Sequence, residues 1–330
     1  VSFRFSIIIP TFQHRAFLEE ALHSVLEQEY PTFEIIVIDG GSRDGTTELL
    51  HAYQAANPGR VYWRSEPDRG QADAINKGMR LATGDIVGWL NADDRFAPGA
   101  LAAVQEFFVR NPQADFVYGD ALALNREGRA FGVRQHVSRR QRIPGSDHEL
   151  LVRYYDFIVQ PAAFWRASLW QRLGELDSTL VYALDYEYWM RAAAVTRLCY
   201  LPRVLAHERL YAAAKTGSGG LARIAEIEQV AVHHGGDGLP RFYRAEGAAL
   251  HIAAATERVR IGDWEAARAH LHAARRLRPR LGGLLRYGVF FALFGPKALP
   301  TGWLWMNRLR TGLFRRYSHT ANTSKNARPG

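Results

Sequence analysis

Residues 85–94, "DIVGWLNADD", decide how the chain is read. From Ile86 to Leu90 no polar residue interrupts, as in strands covered on both faces, and then an amide and two carboxylates follow within four positions. Asn and Asp close many turns without any function, because they hydrogen-bond their own backbone. What matters is whether other strands end in the same manner.

Two of them do. "FSIIIP" (5–10) runs into Thr11 and "FEIIVIDG" (33–40) ends at Asp39; both are β-branched and nearly continuous. Between them "RAFLEEALHSVLEQEY" places Phe17, Leu18, Ala21, Leu22, Val25 and Leu26 at helical spacing. "TTELLHAYQAAN", the short run "VYWRSE" and the helical "QADAINKGMRLATG" fill the interval before Asp85. Alternating strands and helices predict a doubly wound α/β sheet. Ligands of such sheets bind outside the carboxyl ends of the strands, so Thr11, Asp39, Asn91 and Asp93 are expected around one crevice.

At 330 residues and 47% hydrophobic content the chain suits one large or two ordinary globular domains. Its one cysteine, Cys199, excludes an internal disulfide and a thiolate cluster, fits a reducing compartment and reads as core packing. The opening "VSFRFSIIIP" is too short for a signal segment and reads as a first strand; the longest late apolar run, "GLLRYGVFFALFG", is short for a span and carries Arg286. Of 42 Lys+Arg and 33 Asp+Glu, 17 and 4 lie in residues 241–330, which leaves 25 and 29 upstream, so the net +9 belongs to the tail. There the arginines mix with Trp303, Trp305, Phe314 and Tyr317. That mixture suits an anionic membrane surface at least as well as nucleic acid, and nucleic acid is not an expected partner.

After residue 115, "DFVYGDALAL", "IVQPAAFWR" and "LCYLPRVLAHERLY" read as strands, "LDYEYWMRAAAV" as a helix and 134–148 as a mobile loop. "GDWEAARAHLHAARRLRP" (262–279) has the look of one tetratricopeptide-type hairpin; a lone repeat lacks stacked neighbours, so a helical appendage is expected. The organisation read is an α/β domain over 1–235, a basic helical extension over 236–316 and a disordered tail over 317–330. The extension's "WLWMNRLRTGLFRRY" spaces Met306, Leu309, Leu313, Phe314 and Tyr317 as one helical face, suited to a membrane interface or to packing on the α/β domain.

No G-x-G-x-x-G follows the first strand and no G-x-x-x-x-G-K-[ST] occurs, which weighs against dehydrogenase and P-loop readings. "PTFQHR" lacks the Gly-rich pyrophosphate loop of a sugar nucleotidyltransferase. The ordered blocks "SIIIPTF", "EIIVIDGGSRDGT", "SEPDRGQADAINKGMRLATGDIVGWLNADD" and "LDYEYWMR" resemble the family 2 glycosyltransferases, continuously over residues 4 to 120 and in patches to 216. The resemblance implies a GT-A fold, Rossmann-like with a doubly wound mixed sheet, here with a C-terminal helical extension. It also implies an inverting sugar transfer from a nucleotide-diphosphate donor, UDP by preference, to a hydroxyl of a glycan or lipid-linked acceptor. The place would be cytoplasmic, or peripheral on the cytoplasmic face of the membrane. A catalytically silent sugar-nucleotide or glycan-binding module is the alternative that the same resemblance allows.

Single displacement at an anomeric carbon makes two demands: the departing diphosphate gains charge and the acceptor hydroxyl must lose a proton. By resemblance, Asn91-Ala92-Asp93 stands at the family's metal motif, with Asp93 as ligand to Mn²⁺ or Mg²⁺, and Asp185 is similar to the general base. Asp39 matches the base-recognising aspartate, Pro10, Thr11 and Phe12 the nucleoside contacts, and Gly41 its neighbour. Asp68, Arg69, Gly70, Gln71, Asp73 and Lys77 match the block that closes over nucleotide and donor sugar. Asp185 has a competing use as a helix N-cap, and Glu187 is its back-up. Gln160, Trp165 and Arg166 are the acceptor-side candidates; Phe164 is as well read as core. Arg209-Leu210-Tyr211 departs from the family's Arg-Leu-His, leaving His207 as a substitute.

Overall fold

The computed structural model describes residues 2–134 and 144–278. The loop read over 134–148 falls mostly, and the interfacial helix and tail wholly, outside the described residues.

Four strands and three helices alternate first: β1 (Phe5–Thr11), α1 (Arg15–Leu26), β2 (Phe33–Asp39), α2 (Thr46–Ala56), β3 (Val61–Ser65), α3 (Gln71–Leu81) and β4 (Ile86–Trp89). The strands lie in the order β3-β2-β1-β4, all parallel. Every residue of β1, β2 and β4 is buried, which is why these strands read as unbroken apolar runs. Pairing of Thr11 with Asp39 and of Ile8 with Trp89 brings the three carboxyl ends to one edge. The helical spacing holds as well: Leu18, Ala21, Leu22 and Val25 form the buried stripe of α1.

The sheet continues through β5 (Arg95–Phe96), β6 (Phe116–Leu124), β7 (Ala130–Arg134), β8 (Ala163–Arg166) and β9 (Leu198–Arg209), with α4 (Ala100–Arg110) after β5. Its full order is β3-β2-β1-β4-β8-β6-β9-β5, with β7 on β6. Antiparallel pairing of β8 with β4 and β6 makes the sheet mixed, as the GT-A reading requires. Helices α5 (Asp147–Arg153), α6 (Ala167–Leu173), α7 (Leu184–Val195), α8 (Lys215–Ser218) and α9 (Gly220–His233) complete this part. Trp89 stacks on Trp189 with centroids 5.6 Å apart, and Phe116 stacks on Trp165 at 6.0 Å, so α7 is anchored on the sheet by aromatic contact.

One compact unit ends at Arg244 and another begins at Ala245. In the second, α10 (Arg244–Arg260), whose first residue still belongs to the first unit, and α11 (Trp264–Leu277) share a small core of Ala248 and Ala274 flanked by Ile252 and Leu277. Asp263 caps α11 by accepting the Ala266 N–H at 3.1 Å. No described helix is long and apolar enough to cross a membrane.

At the opposite edge from the carboxyl ends, the turn into β4 is fastened under β1. Gly84 N–H donates to Ser6 Oγ at 2.8 Å, and Ser6 Oγ donates to the buried Glu34 at 2.6 Å. A Cβ on Gly84 would fall 2.6 Å from Ser6 N and 2.8 Å from Arg4 O, where backbone cannot yield. Gly84→Ala should therefore cost about 1–3 kcal/mol, read as a lower urea midpoint with an unchanged slope.

Candidate active site

The turn after β4 is built around a buried guanidinium. Arg209, at the end of β9, donates through Nε to Asp93 O at 2.9 Å, through Nη1 to Arg126 O at 2.6 Å and through Nη2 to Glu20 at 2.8 Å. Its plane lies over Phe17, 4.7 Å from the ring centroid. Its backbone N–H donates to Asp94 Oδ1 at 2.8 Å. The two carboxylates of the turn thus have different tasks. Asp94 is buried, and its carboxyl is pushed well above the usual range by that burial and by the charges of Asp93 and Glu208. Asp93 is half-buried; its Oδ2 accepts the Tyr211 hydroxyl at 3.0 Å, while Oδ1 carries no hydrogen bond among the described residues.

Tyr211, which stands where the family's pattern has histidine, is thus a hydrogen-bond donor to the turn. Burial and the Asp93 charge push its phenol up to about 12, so it stays a neutral donor at physiological pH. His207 does not substitute: it faces Arg95 in the β5–β9 ladder.

From Asn91 a relay of side-chain amides crosses the crevice. Asn91 Nδ2 donates to Gln160 Oε1 at 2.8 Å and to Asp94 at 3.2 Å, and Gln160 Nε2 donates to Trp89 O at 2.9 Å. Gln71 Nε2 donates to Asn91 Oδ1 at 2.7 Å, and Gln71 Oε1 accepts the Lys215 ammonium at 2.7 Å. Lys215 and Asp185 lie within electrostatic reach of each other: burial lowers the pKa of the lysine and the aspartate opposes it. Burial raises the carboxyl of Asp185 above its ordinary value, with Glu208 adding to the rise; the Tyr186 N–H and the Lys215 charge hold it back. Asp185 is not the N-cap of α7. That position is Ala183, and the Glu226 carboxylate accepts the N–H groups of Val181, Tyr182 and Ala183 at 3.0, 2.5 and 2.6 Å. Glu226 thus fixes the segment that leads into α7, while Asp185, in the first turn, accepts the Tyr186 N–H at 2.8 Å through Oδ1.

Asp39 sits at the end of β2 with no exposed surface, accepting the Ser42 N–H at 3.0 Å, the Ser42 hydroxyl, and the Ser65 hydroxyl at 2.6 Å. Pro10 and Thr11 end β1 beside it, and the buried Thr11 hydroxyl has no partner among the described residues. Gly41 takes a left-handed φ of 88°, and Gln13, unusually for a side-chain-bearing residue, one of 56°. Phe12, 57% exposed, covers this end together with Asp68; a Cβ at Gly40 would fall 2.6 Å from Asp68 Oδ2. Asp68 also accepts the Gly70 N–H at 2.8 Å.

Several expected roles change. Lys77 is not free for phosphate: its ammonium holds Pro67 O at 2.9 Å, Glu66 at 3.1 Å and Asp73 at 3.6 Å. Asp73 opposes its own burial by accepting the Arg69 N–H and guanidinium beside Lys77, which keeps its pKa low; it braces the loop. Arg69 remains largely exposed at the rim. Ala92 is buried and contributes packing.

Trp165 and Arg166 are corrections. Trp165 is fully buried among Trp89, Phe116 and Trp189. Arg166 pairs with Ile86 at the start of β4 and donates to Ala114 O at 2.9 Å, away from the crevice. Of the acceptor-side candidates only Gln160 reaches the relay. Glu187 is no substitute base, because Arg191 at 2.8 Å and His234 at 3.4 Å hold its carboxylate. Lys215 and Glu226 were missed. "KTGS" marks a basic residue after the last strand, whereas nothing local in Glu226 announces that it holds the backbone leading into another helix.

Arginine 209 generates a direct test. Arg209→Met should lower unfolding stability by about 3 kcal/mol or more, because it leaves the carbonyls of Asp93 and Arg126 without their buried donor. Chemical denaturation measures it, and Arg209→Lys, lacking the fork, should recover only part of the loss.

A family model described as "Glycosyl transferase family 2" matches residues 6–172. The chain is 30% identical over 205 residues to a "PGL/p-HBAD biosynthesis glycosyltransferase" of Mycobacterium bovis, covering 60% of this chain and 74% of that protein. It is 32% identical over 198 residues to an "Uncharacterized glycosyltransferase" of Mycobacterium tuberculosis, covering 58% and 69%. Among solved structures, the mannosyltransferase PcManGT of Pyrobaculum calidifontis in complex with GDP-Man and Mn²⁺ aligns with TM-score 0.55 at 22% identity, over 97% of this chain and 83% of that one. S. aureus TarS 1-349 in complex with UDP-GlcNAc aligns with TM-score 0.53 at 18% identity, over 86% and 87%.

Proposed function

The chain belongs to glycosyl transferase family 2 and is a sugar-nucleotide-dependent glycosyltransferase of the GT-A fold; on that premise we propose that it transfers a sugar from a UDP-type donor to a hydroxyl of a glycan or lipid-linked acceptor, with inversion and with Asp185 as general base. What carries this reading is the relay Lys215–Gln71–Asn91, which starts beside Asp185 and ends at the turn of Asp93.

Thr11, Asp39 and the ring of Phe12 would hold the nucleoside: the orphaned Thr11 hydroxyl awaits a partner, and Asp39 keeps acceptor capacity beyond its serine bonds. A divalent cation, Mn²⁺ or Mg²⁺, would supply charge neutralisation for the departing diphosphate. The donor set limits its site. Among the described residues no three His, Cys, Asp or Glu side chains converge, Asp94 is already hydrogen-bonded, and Asp93 Oδ1 is the open carboxylate oxygen. One carboxylate fits a hard cation that takes its other ligands from phosphate and water.

Asp185 accepts the acceptor's proton. A desolvated carboxylate with a raised pKa is a stronger base than a solvated one, and Lys215 keeps it ionised without donating to it in the resting protein. Gln160 and Asn91 hold the floor of the crevice against Trp89 O, so that attack and departure have a fixed frame. The cytoplasmic face of the membrane suits a lipid-linked acceptor.

Asp185→Asn should reduce kcat about 10²- to 10⁴-fold with donor binding unchanged; unaltered turnover would remove Asp185 from the mechanism. The pH profile gives the sign. Because the folded carboxyl titrates above its ordinary value, kcat should fall on acidification at a higher pH than a solvated aspartate, about 4, would give. Lys215→Met, which removes the opposing charge, should move that acid limb further up in pH.

A further inference from the structure

Beyond α7 the same compact unit carries a group of arginines that sugar transfer at Asp185 does not use. An open surface depression of about 210 Å³ is lined by Arg153, Tyr154, Asp237, Arg241 and Arg244, all within the unit that ends at Arg244, and none of the three arginines is buried. Three guanidinium groups meet one carboxylate there, although acidic residues outnumber basic ones over residues 1–240.

Arg153 has a local reason for its place. It ends α5, where terminal carbonyls favour a cation, and its Nε lies 3.8 Å from Glu149 of the same helix. Arg241 and Arg244 have no such reason. The segment that carries them is fastened to the helix end by two main-chain bonds of 2.9 Å, from Arg241 N–H to Arg153 O and from Phe242 N–H to Tyr154 O. One edge of Arg244 is occupied, with Nε donating to Leu239 O at 2.8 Å and Asp237 at 3.7 Å from Nη2. The Arg241 guanidinium has neither hydrogen bond nor ion pair among the described residues. Arg241 is thus an exposed guanidinium without a partner among the described residues, beside two that are paired, and forked guanidinium groups match phosphate oxygens.

The depression's wall is one step from the base. The Tyr186 hydroxyl, next in sequence to Asp185, donates to Leu151 O in α5. Tyr243, between Phe242 and Arg244, accepts the Asp156 N–H at 3.4 Å and has its ring 6.3 Å from that of Tyr186. We propose that the depression of Arg153, Arg241 and Arg244 is an anion site that holds a phosphate group of the acceptor. The acceptor half of this inference rests on the transfer reaction proposed above; the binding of phosphate does not.

The test uses the full chain with UDP already saturating, titrated calorimetrically with inorganic pyrophosphate. Arg241→Ala, a surface change, should weaken pyrophosphate binding roughly tenfold while leaving UDP affinity unchanged, and Arg241→Lys should recover only part. Flotation with phosphatidylcholine vesicles, with and without phosphatidylglycerol, identifies the source of the phosphate. Flotation that needs phosphatidylglycerol and Arg241 assigns a lipid headgroup, whereas pyrophosphate binding without flotation assigns a soluble phosphorylated acceptor. Pyrophosphate affinity equal in wild type and Arg241→Ala, or no binding to the wild type, overturns the proposal. Failure of UDP to bind would strike the donor reading instead, and the pyrophosphate titration would still report on the depression.

Discussion

Two adjacent carboxylates at the end of a buried strand repel each other, and the buried guanidinium of Arg209 makes their turn stable. It holds the carbonyl of Asp93, the carbonyl of Arg126 and the carboxylate of Glu20, while the backbone N–H of Arg209 holds Asp94. Because Arg209 ends β9 and Asp93 follows β4, this contact ties the two halves of the sheet together at their functional edge. Asp94 is consumed by the arrangement. Asp93 is thereby presented with one oxygen directed away from the protein's own hydrogen bonds.

The same division between bracing and presenting recurs around the crevice. Glu226 fixes the segment leading into α7, and Lys77 with Asp73 braces the loop that offers Gln71 to Asn91. Lys77, which the sequence nominates for phosphate, is spent on Pro67 O and on the carboxylates of Glu66 and Asp73. Burial then separates the neighbours by pKa, raising Asp94 and Asp185 while Asp73 and Glu187 are held low by their cationic partners despite burial.

Much of this was legible in the sequence, and for a physical reason. Strands buried on both faces must be continuous and apolar, so β1, β2 and β4 announce themselves, and the parallel register follows from the helices between them. Their polar ends therefore mark the crevice. The long-range partners were not legible. Nothing in "AHERLY" shows that Arg209 faces Glu20, 189 positions earlier, or that Tyr211 reaches Asp93. Trp165 and Arg166 misled because an aromatic beside an arginine suits both a sugar platform and a strand end packed in a core. Pairing with the start of β4 put them at the wrong edge of the sheet for the former.

The central claim is that the turn of Asp93 receives the diphosphate of a nucleotide donor beside a divalent cation. Calorimetric titration with UDP and GDP, each with and without Mn²⁺, on the wild type and on Asp93→Ala tests it most directly. UDP is expected to bind, Mn²⁺ to strengthen the binding, and Asp93→Ala to abolish the strengthening in a protein that remains folded. Nucleotide binding indifferent to both Mn²⁺ and Asp93, or no nucleotide binding at all, would contradict it.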